Sequence, residues 1–166
     1  MNSQRRLSVP RAAAGEWAAL SAVPVVPGSL KPAGLPEPAR RWLAHAVPAG
    51  TPAWSCAQLE MAGRIRLGGH WRDFTARQVL APGRGFVWAA RTRMGWLPVS
   101  GFDRYTTAGG GQMRWRLLGV VPVVSAAGPD VTRSAAGRLA AEAVRAEVAA
   151  LPGPDRAAVE LERLVL

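Results

Sequence analysis

The stretch from Trp54 to Ala143 constrains the fold most, because its apolar residues recur at every second position between short glycine turns. In its first segment, Ala57 and Leu59 alternate with polar residues, as in a β-strand whose successive side chains point to opposite faces. The glycines at 68–69 and 109–111 are typical of hairpin turns. Short turns between successive strands indicate an antiparallel meander, for which the pattern predicts about five strands.

Helical patterns lie on both sides of this stretch. A short helix is expected to begin at Pro36 or Pro38, and a longer one is predicted from Val131 to Ala150. The apolar face of the longer helix is Leu139, Ala143, Val144, Val148 and Leu151. Arg138 and Glu142 form an i,i+4 pair that is expected on its other face. The predicted fold class is α+β: a curved antiparallel β-meander with a short N-terminal helix and a longer C-terminal helix packed on the sheet.

The chain divides into three predicted regions. Residues 1–34 form an N-terminal arm and linker, with a short helix expected from Ala12 to Ala22; residues 35–151 form the α+β domain, and residues 152–166 a C-terminal tail. The longest apolar run, from Leu117 to Gly128, is too short to span a bilayer. With no signal-peptide pattern and Cys56 as its single cysteine, the chain is expected to be cytoplasmic.

Residues suited to metal binding or catalysis are few. His45, His70 and Cys56 cannot make a four-ligand zinc site, so no metal or cofactor is predicted. No nucleophile has a histidine near it in sequence, and the glycines at 109–111 lack the ending of a phosphate loop. The sequence therefore favours a non-catalytic protein over an enzyme, and it predicts no catalytic residues.

Arginine dominates the charge of the chain. Lysine and arginine number 21 against 11 acidic residues, for a net charge of +10. Three pairs at i,i+2 spacing are Arg64 and Arg66, Arg91 and Arg93, and Arg114 and Arg116. Each pair is expected on one face of its strand, with large apolar residues on the other. Two interpretations stay open: a solvated polar face, or a face that binds phosphate or carboxylate groups. Nucleic acid is not expected, since the tryptophans fall on the opposite face and no known binding motif is present.

Several segments resemble an uncharacterised, actinobacterial-type family of bacterial domains, the domain-of-unknown-function 6544/6920 family. The matching signatures are Gly34-Leu35-Pro36-Glu37-Pro38-Ala39-Arg40-Arg41-Trp42, Phe86-Val87-Trp88, Met113-Arg114-Trp115-Arg116, Gly128-Pro129-Asp130 and Ser134-Ala135-Ala136-Gly137-Arg138-Leu139. The resemblance covers about Leu30 to Val144 and implies a β-rich domain without assigned chemistry. By analogy of architecture, it implies an incomplete lipoprotein-carrier-like barrel, because family members are expected to carry further strands after the helix.

The function predicted from these features is non-catalytic binding of an amphiphilic or anionic small molecule or lipid on the curved sheet. The predicted ligand-binding residues are Trp88, Trp115, Arg91, Arg114, Arg116, Asp103 and Tyr105. One alternative is an enzyme that uses polar groups in the same pocket, and another is a truncated paralogue without a ligand. An open sheet edge also predicts a homo-oligomer.

Overall fold

The computed structural model describes residues 7–22, 36–46 and 55–149, of which Leu43, Ala46 and residues 143–149 are described by their backbone alone. These ranges contain three helices and six strands. The elements are α1 (Arg11–Ser21), α2 (Glu37–Ala46), β1 (Ala57–Leu67), β2 (His70–Ala81), β3 (Gly85–Met94), β4 (Leu97–Thr106), β5 (Gly110–Leu117), β6 (Val121–Ala127) and α3 (Pro129–Ala149). The predicted linker before Pro36 and the tail at 152–166 lie outside the described residues, as do the side chains of Ala143, Val144, Val148 and Leu151.

The strands form one antiparallel sheet in the order β1-β2-β3-β4-β5-β6, so each strand pairs with its neighbours in sequence. The sheet is curved and unclosed, with β1 and β6 at its edges. The α+β fold and the meander are therefore confirmed, whereas the predicted number of about five strands is too low. The missed strand, β6, begins Val121-Pro122-Val123-Val124, with apolar residues at consecutive positions, so it shows no alternation. Proline is tolerated there because β6 is an edge strand, and its pairing with β5 is irregular between Trp115 and Arg116.

The α3 helix packs on one face of the sheet, which we call the α3 face. Its buried core consists of Ile65, Phe74, Ala76, Leu80, Phe86, Trp88, Ala90 and, from the helix, Leu139. The helix approaches β5 closely at Gly111, where a Cβ atom would lie 2.8 Å from the Cα of Thr132. The Gly111 N–H donates a hydrogen bond of 2.9 Å to the Thr132 hydroxyl oxygen. A glycine at this position therefore allows the helix to rest on the strand.

A second core lies on the opposite face, which we call the α1 face. Ala13 and Leu20 of α1 are buried there against Val79, Val87 and Phe102. The sequence predicted a core on one face and a basic, arginine-bearing face on the other. The second core corrects this prediction, because only part of the α1 face is exposed and basic. The reason lies in the central strands, where both alternating sets of side chains are apolar around Val79 and Val87. That apolar area requires a cover, and α1 provides it.

Strand register also settles where the paired arginines lie. Arg91 pairs with Ser100, which pairs with Arg116, while Phe102 pairs with Arg114. Directly paired residues of antiparallel strands share a face. The same register places Arg64, Arg66 and Arg93 on that face, so all six lie on the α1 face, as the alternation predicted. They are exposed, and they lie to one side of the area that α1 covers, toward the turns that follow β1, β3 and β5.

Candidate ligand-binding site

Two tryptophans and a carboxylate meet on the α3 face. Trp88 pairs with Asp103 across β3 and β4, and Trp115 stands on β5 opposite Gly101. The indole rings of Trp88 and Trp115 lie 5.7 Å apart, tilted by 53°. A Cβ atom at Gly101 would lie 2.7 Å from a ring carbon of Trp115, so the glycine leaves room for that ring. Tyr105 borders the same cluster and is half-buried.

Asp103 is held by hydrogen-bonding groups from β5 and α3. The indole N–H of Trp115 donates a hydrogen bond of 2.9 Å to Oδ1 of Asp103. Its Oδ2 lies 3.5 Å from the Arg138 guanidinium. The Asp103 side chain is 17% exposed. Burial raises the pKa of this carboxyl above its ordinary value, while the Trp115 hydrogen bond and the Arg138 charge act in the opposite direction.

Arg138 is the centre of this polar cluster. Its Nε donates a hydrogen bond of 2.7 Å to Oε1 of Glu142, and its guanidinium lies 4.7 Å from the ring centre of Phe86 and 5.2 Å from that of Trp88. The buried amide of Gln78 donates to the other Glu142 oxygen. The guanidinium is therefore placed between two carboxylates and above two aromatic rings, where cation–π attraction adds to the ion pairs.

The chemistry of the cluster follows from its charges. Two carboxylates share one guanidinium, so with both carboxylates ionised the negative charge is in excess. Each carboxylate oxygen has more than one acceptor position, which leaves capacity for a further donor such as a hydroxyl or an ammonium group. Within the described residues, no three His, Cys, Asp or Glu side chains lie together in a way that could hold a metal ion.

The chain matches the model of one protein family. The model of the Family of unknown function (DUF6544) matches residues 27–155, which is well over half of the 166 residues. The chain belongs to DUF6544. The match confirms the resemblance to a family of domains of unknown function. No curated protein and no solved structure matches the chain significantly.

The predicted ligand-binding residues of this DUF6544 domain divide between the two faces. Trp88, Trp115, Asp103 and Tyr105 lie together on the α3 face. Arg91, Arg114 and Arg116 lie on the α1 face, across the sheet from the tryptophans. Near them, burial and then the charge of Arg114 lower the pKa of Arg104, which pairs with Glu16 of α1. The seven residues therefore do not form one pocket.

Sequence patterns assigned no ligand-binding role to Arg138, Glu142 and Gln78 of this DUF6544 domain. The i,i+4 pair of Arg138 and Glu142 is confirmed, but its predicted position away from the sheet is wrong, since both side chains reach residues of the α3 face. The sequence did contain one indication for Gln78. It occupies every second position of β2 together with Phe74, Ala76 and Leu80, which are buried, so its side chain lies on the same face of the strand. A polar residue in such an inward-facing series indicates a buried polar partner.

Within the described residues, none of the helices is long and apolar enough to cross a membrane.

Proposed function

We propose that this DUF6544 domain binds an amphiphilic, lipid-like small molecule on the α3 face without catalysing a reaction. The observation that carries the proposal is the Asp103–Arg138–Glu142 cluster, set among the rings of Phe86, Trp88 and Trp115. Well-packed apolar residues can often replace such an ion cluster without loss of stability. Its presence beside the half-buried ring of Trp115 therefore favours a binding role, in which that ring contacts an apolar body and the charges contact a headgroup.

The charge of the cluster selects the headgroup. Arg138 already has two carboxylate partners, so a second anion would gain little from it and would be repelled by Asp103 and Glu142. A headgroup that donates hydrogen bonds, such as a hydroxyl or an amine, fits the spare acceptor positions. The apolar part would lie over the half-buried Trp115 and Tyr105, at the border of the buried core.

An anionic ligand, which the arginines favour, would bind on the α1 face instead. Arg91, Arg114 and Arg116 present exposed guanidinium groups there, and these forks match phosphate and carboxylate oxygens. Changing Arg91 and Arg114 together to Glu should weaken binding of an anion and flatten its salt dependence.

Native mass spectrometry tests the proposal on freshly purified protein, before and after extraction with organic solvent. We expect a bound mass that extraction removes, and rebinding of a monoacylglycerol or a long-chain amine in preference to a fatty acid. The Asp103→Asn variant should bind the amine about tenfold more weakly, because a charged acceptor is lost. Arg133→Met, on the exposed side of α3, is the control. No bound mass and no binding of any of the three amphiphiles would contradict the proposal.

The proposal places this bacterial-type domain in the cytoplasm, where the thiol of Cys56 would stay reduced. We also propose that the domain self-associates through the exposed edge strand β6 and that it does not bind nucleic acid.

A further inference from the structure

One sequence pattern recurs at three turns of the sheet. Strands β1, β3 and β5 each end with an arginine pair, one or two apolar residues and a glycine: Arg64-Ile65-Arg66-Leu67-Gly68, Arg91-Thr92-Arg93-Met94-Gly95 and Arg114-Trp115-Arg116-Leu117-Leu118-Gly119. Alternate strands of an antiparallel meander run in the same direction. The three turns, around residues 68–69, 95–96 and 118–120, therefore meet at one end of the sheet, which we call the hairpin end.

The hairpin end exposes large apolar side chains to solvent. Trp96 is 80% exposed at the tip between β3 and β4, and Val120 is 67% exposed at the tip between β5 and β6. Met94 and Leu118 beside them are about half exposed. The two tips adjoin each other, since the N–H of Leu118 donates a hydrogen bond of 2.8 Å to the carbonyl of Pro98. A group of exposed apolar side chains on several turns usually marks an interaction surface.

Positive charge surrounds these tips. The parts of the six strands nearest the tips, residues 63–75, 90–100 and 114–124, contain seven arginines and a single acidic residue, Asp73. Asp73 lies 3.7 Å from Arg64, and both side chains are exposed. Within the described residues, none of the four paired arginines of β3 and β5 lies within ion-pair distance of a carboxylate. The hairpin end therefore combines exposed apolar tips with guanidinium groups that are free to bind an anionic surface.

We propose that the hairpin end docks on the surface of a lipid bilayer that contains anionic lipids. Trp96, Met94, Leu118 and Val120 enter the interfacial region, where the amphipathic indole ring is favoured. The arginines directly behind the tips contact the phosphate groups, and such basic side chains are attracted by the negative surface potential of an anionic membrane. This docking goes beyond the proposed binding of an amphiphile and does not depend on it, because the amphiphile lies on the α3 face and the docking uses the turns at the hairpin end.

The side chains around the arginines favour a membrane over a nucleic acid. A nucleic acid surface would need several exposed rings among the arginines to stack on bases. The residues paired with the arginines of β3 and β5 on the α1 face are instead Thr75, Pro98, Ser100, Pro122, Ser125 and the buried Phe102. One exposed ring, that of Trp71, lies opposite Arg66 on this face, so the expectation that the tryptophans lie on the opposite face is wrong for Trp71. Trp96, the most exposed of the large apolar side chains, projects from the turn beyond the strands.

Vesicle flotation tests the docking with the full chain. Vesicles of phosphatidylcholine are compared with vesicles of phosphatidylcholine mixed with phosphatidylglycerol, at low and at physiological salt. We expect binding to the mixed vesicles alone, weakened by salt. Trp96→Ala and the double variant R93E/R116E should each lower the partition coefficient about tenfold or more. Near-ultraviolet circular dichroism shows that the variants keep the native fold, and R93Q/R116Q replaces the double variant if it does not.

The matched control is R84E/R133E. It changes the net charge by the same amount, but Arg84 lies in the turn between β2 and β3 and Arg133 at the start of α3, both at the opposite end of the sheet. This variant should float with the vesicles nearly as well as the wild type. The proposal would be overturned by absence of flotation, or by equal losses in the two double variants. The proposal would also be overturned if the protein bound a single-stranded oligonucleotide more tightly than the mixed vesicles, and if that binding were lost in R93E/R116E but unchanged in Trp96→Ala.

Discussion

The indole N–H of Trp115 donates its hydrogen bond to a carboxylate, that of Asp103, across 2.9 Å. Because the other oxygen of the same carboxylate faces Arg138 of α3, this short side chain connects β4, β5 and the helix. The connection orients the Trp115 ring beside Trp88 and fixes how α3 is rotated above the sheet. The polar cluster is thus part of the packing of the aromatic face as well as the centre of its proposed binding site.

Stability should depend on pH through Asp103. Burial raises the pKa of this carboxyl in the folded state, so its contribution is fully present below the ordinary pKa of an aspartic acid and is lost as the pH rises through the folded-state value. The Asp103→Asn variant has no titrating group at this position, so its free energy of unfolding lacks this decrease with pH. We expect the free energy of unfolding of the variant, relative to the wild type, to increase as the pH rises from acidic to neutral. Urea unfolding of both proteins at a series of pH values measures this, and a constant difference across the series would contradict it.

Leu139 is expected to be essential to the packing of α3. It is 6% exposed in the core of the α3 face, so Leu139→Asp places a carboxylate in an apolar contact and should destabilise the fold by about 3 kcal/mol or more. Ala140→Asp, at the next and exposed position, should cost about 0.5 kcal/mol from helix propensity alone. Thermal unfolding of the two variants compares these costs. Equal melting temperatures would show that Leu139 is not a core residue.

Gly101 is expected to tolerate no side chain. A Cβ atom there would lie 2.3 Å from the carbonyl oxygen of Arg114 and 2.7 Å from the ring of Trp115. We therefore expect Gly101→Ala to destabilise the protein by about 1–3 kcal/mol and to change the near-ultraviolet spectrum of the tryptophans. The control is Gly137→Ala in α3, where a Cβ atom meets nothing within 4 Å. That change should stabilise the protein by up to about 1 kcal/mol, since alanine favours a helix.

The edge strand β6 is expected to cause self-association. Its outer edge has unpaired backbone groups, and Val121, Val123 and Val124 are exposed along it. Size exclusion with light scattering should give a mass above the 17.6 kDa of one chain. Val123→Lys should return the protein to a monomer, whereas Val120→Lys, in the turn before the strand, should not. A wild-type protein that is monomeric at all concentrations would contradict this prediction.

Local patterns allowed much of the fold to be predicted. The alternation in β1 to β5 and the glycine turns between them are properties of short segments, and so is the placement of each arginine pair on one side of its strand. Since strands in a meander pair with their neighbours, this local information extends to the whole sheet. The common face of Trp88 and Trp115 follows in the same way. The strand β6 escaped prediction because its apolar residues occupy consecutive positions and show no period.

What the sequence by itself determined is therefore the order of the elements apart from β6, the face of each residue in β1 to β5 and the charge of the arginine pairs. Tertiary structure alone decided that Arg138 and Glu142 turn toward the sheet, and that α1 covers the opposite face at Val79 and Val87. The rotation of a helix about its axis depends on which side chains the sheet presents to it. Asp103 and Gln78 are far from α3 in sequence, and only the folded chain brings their polar groups within reach of Arg138 and Glu142.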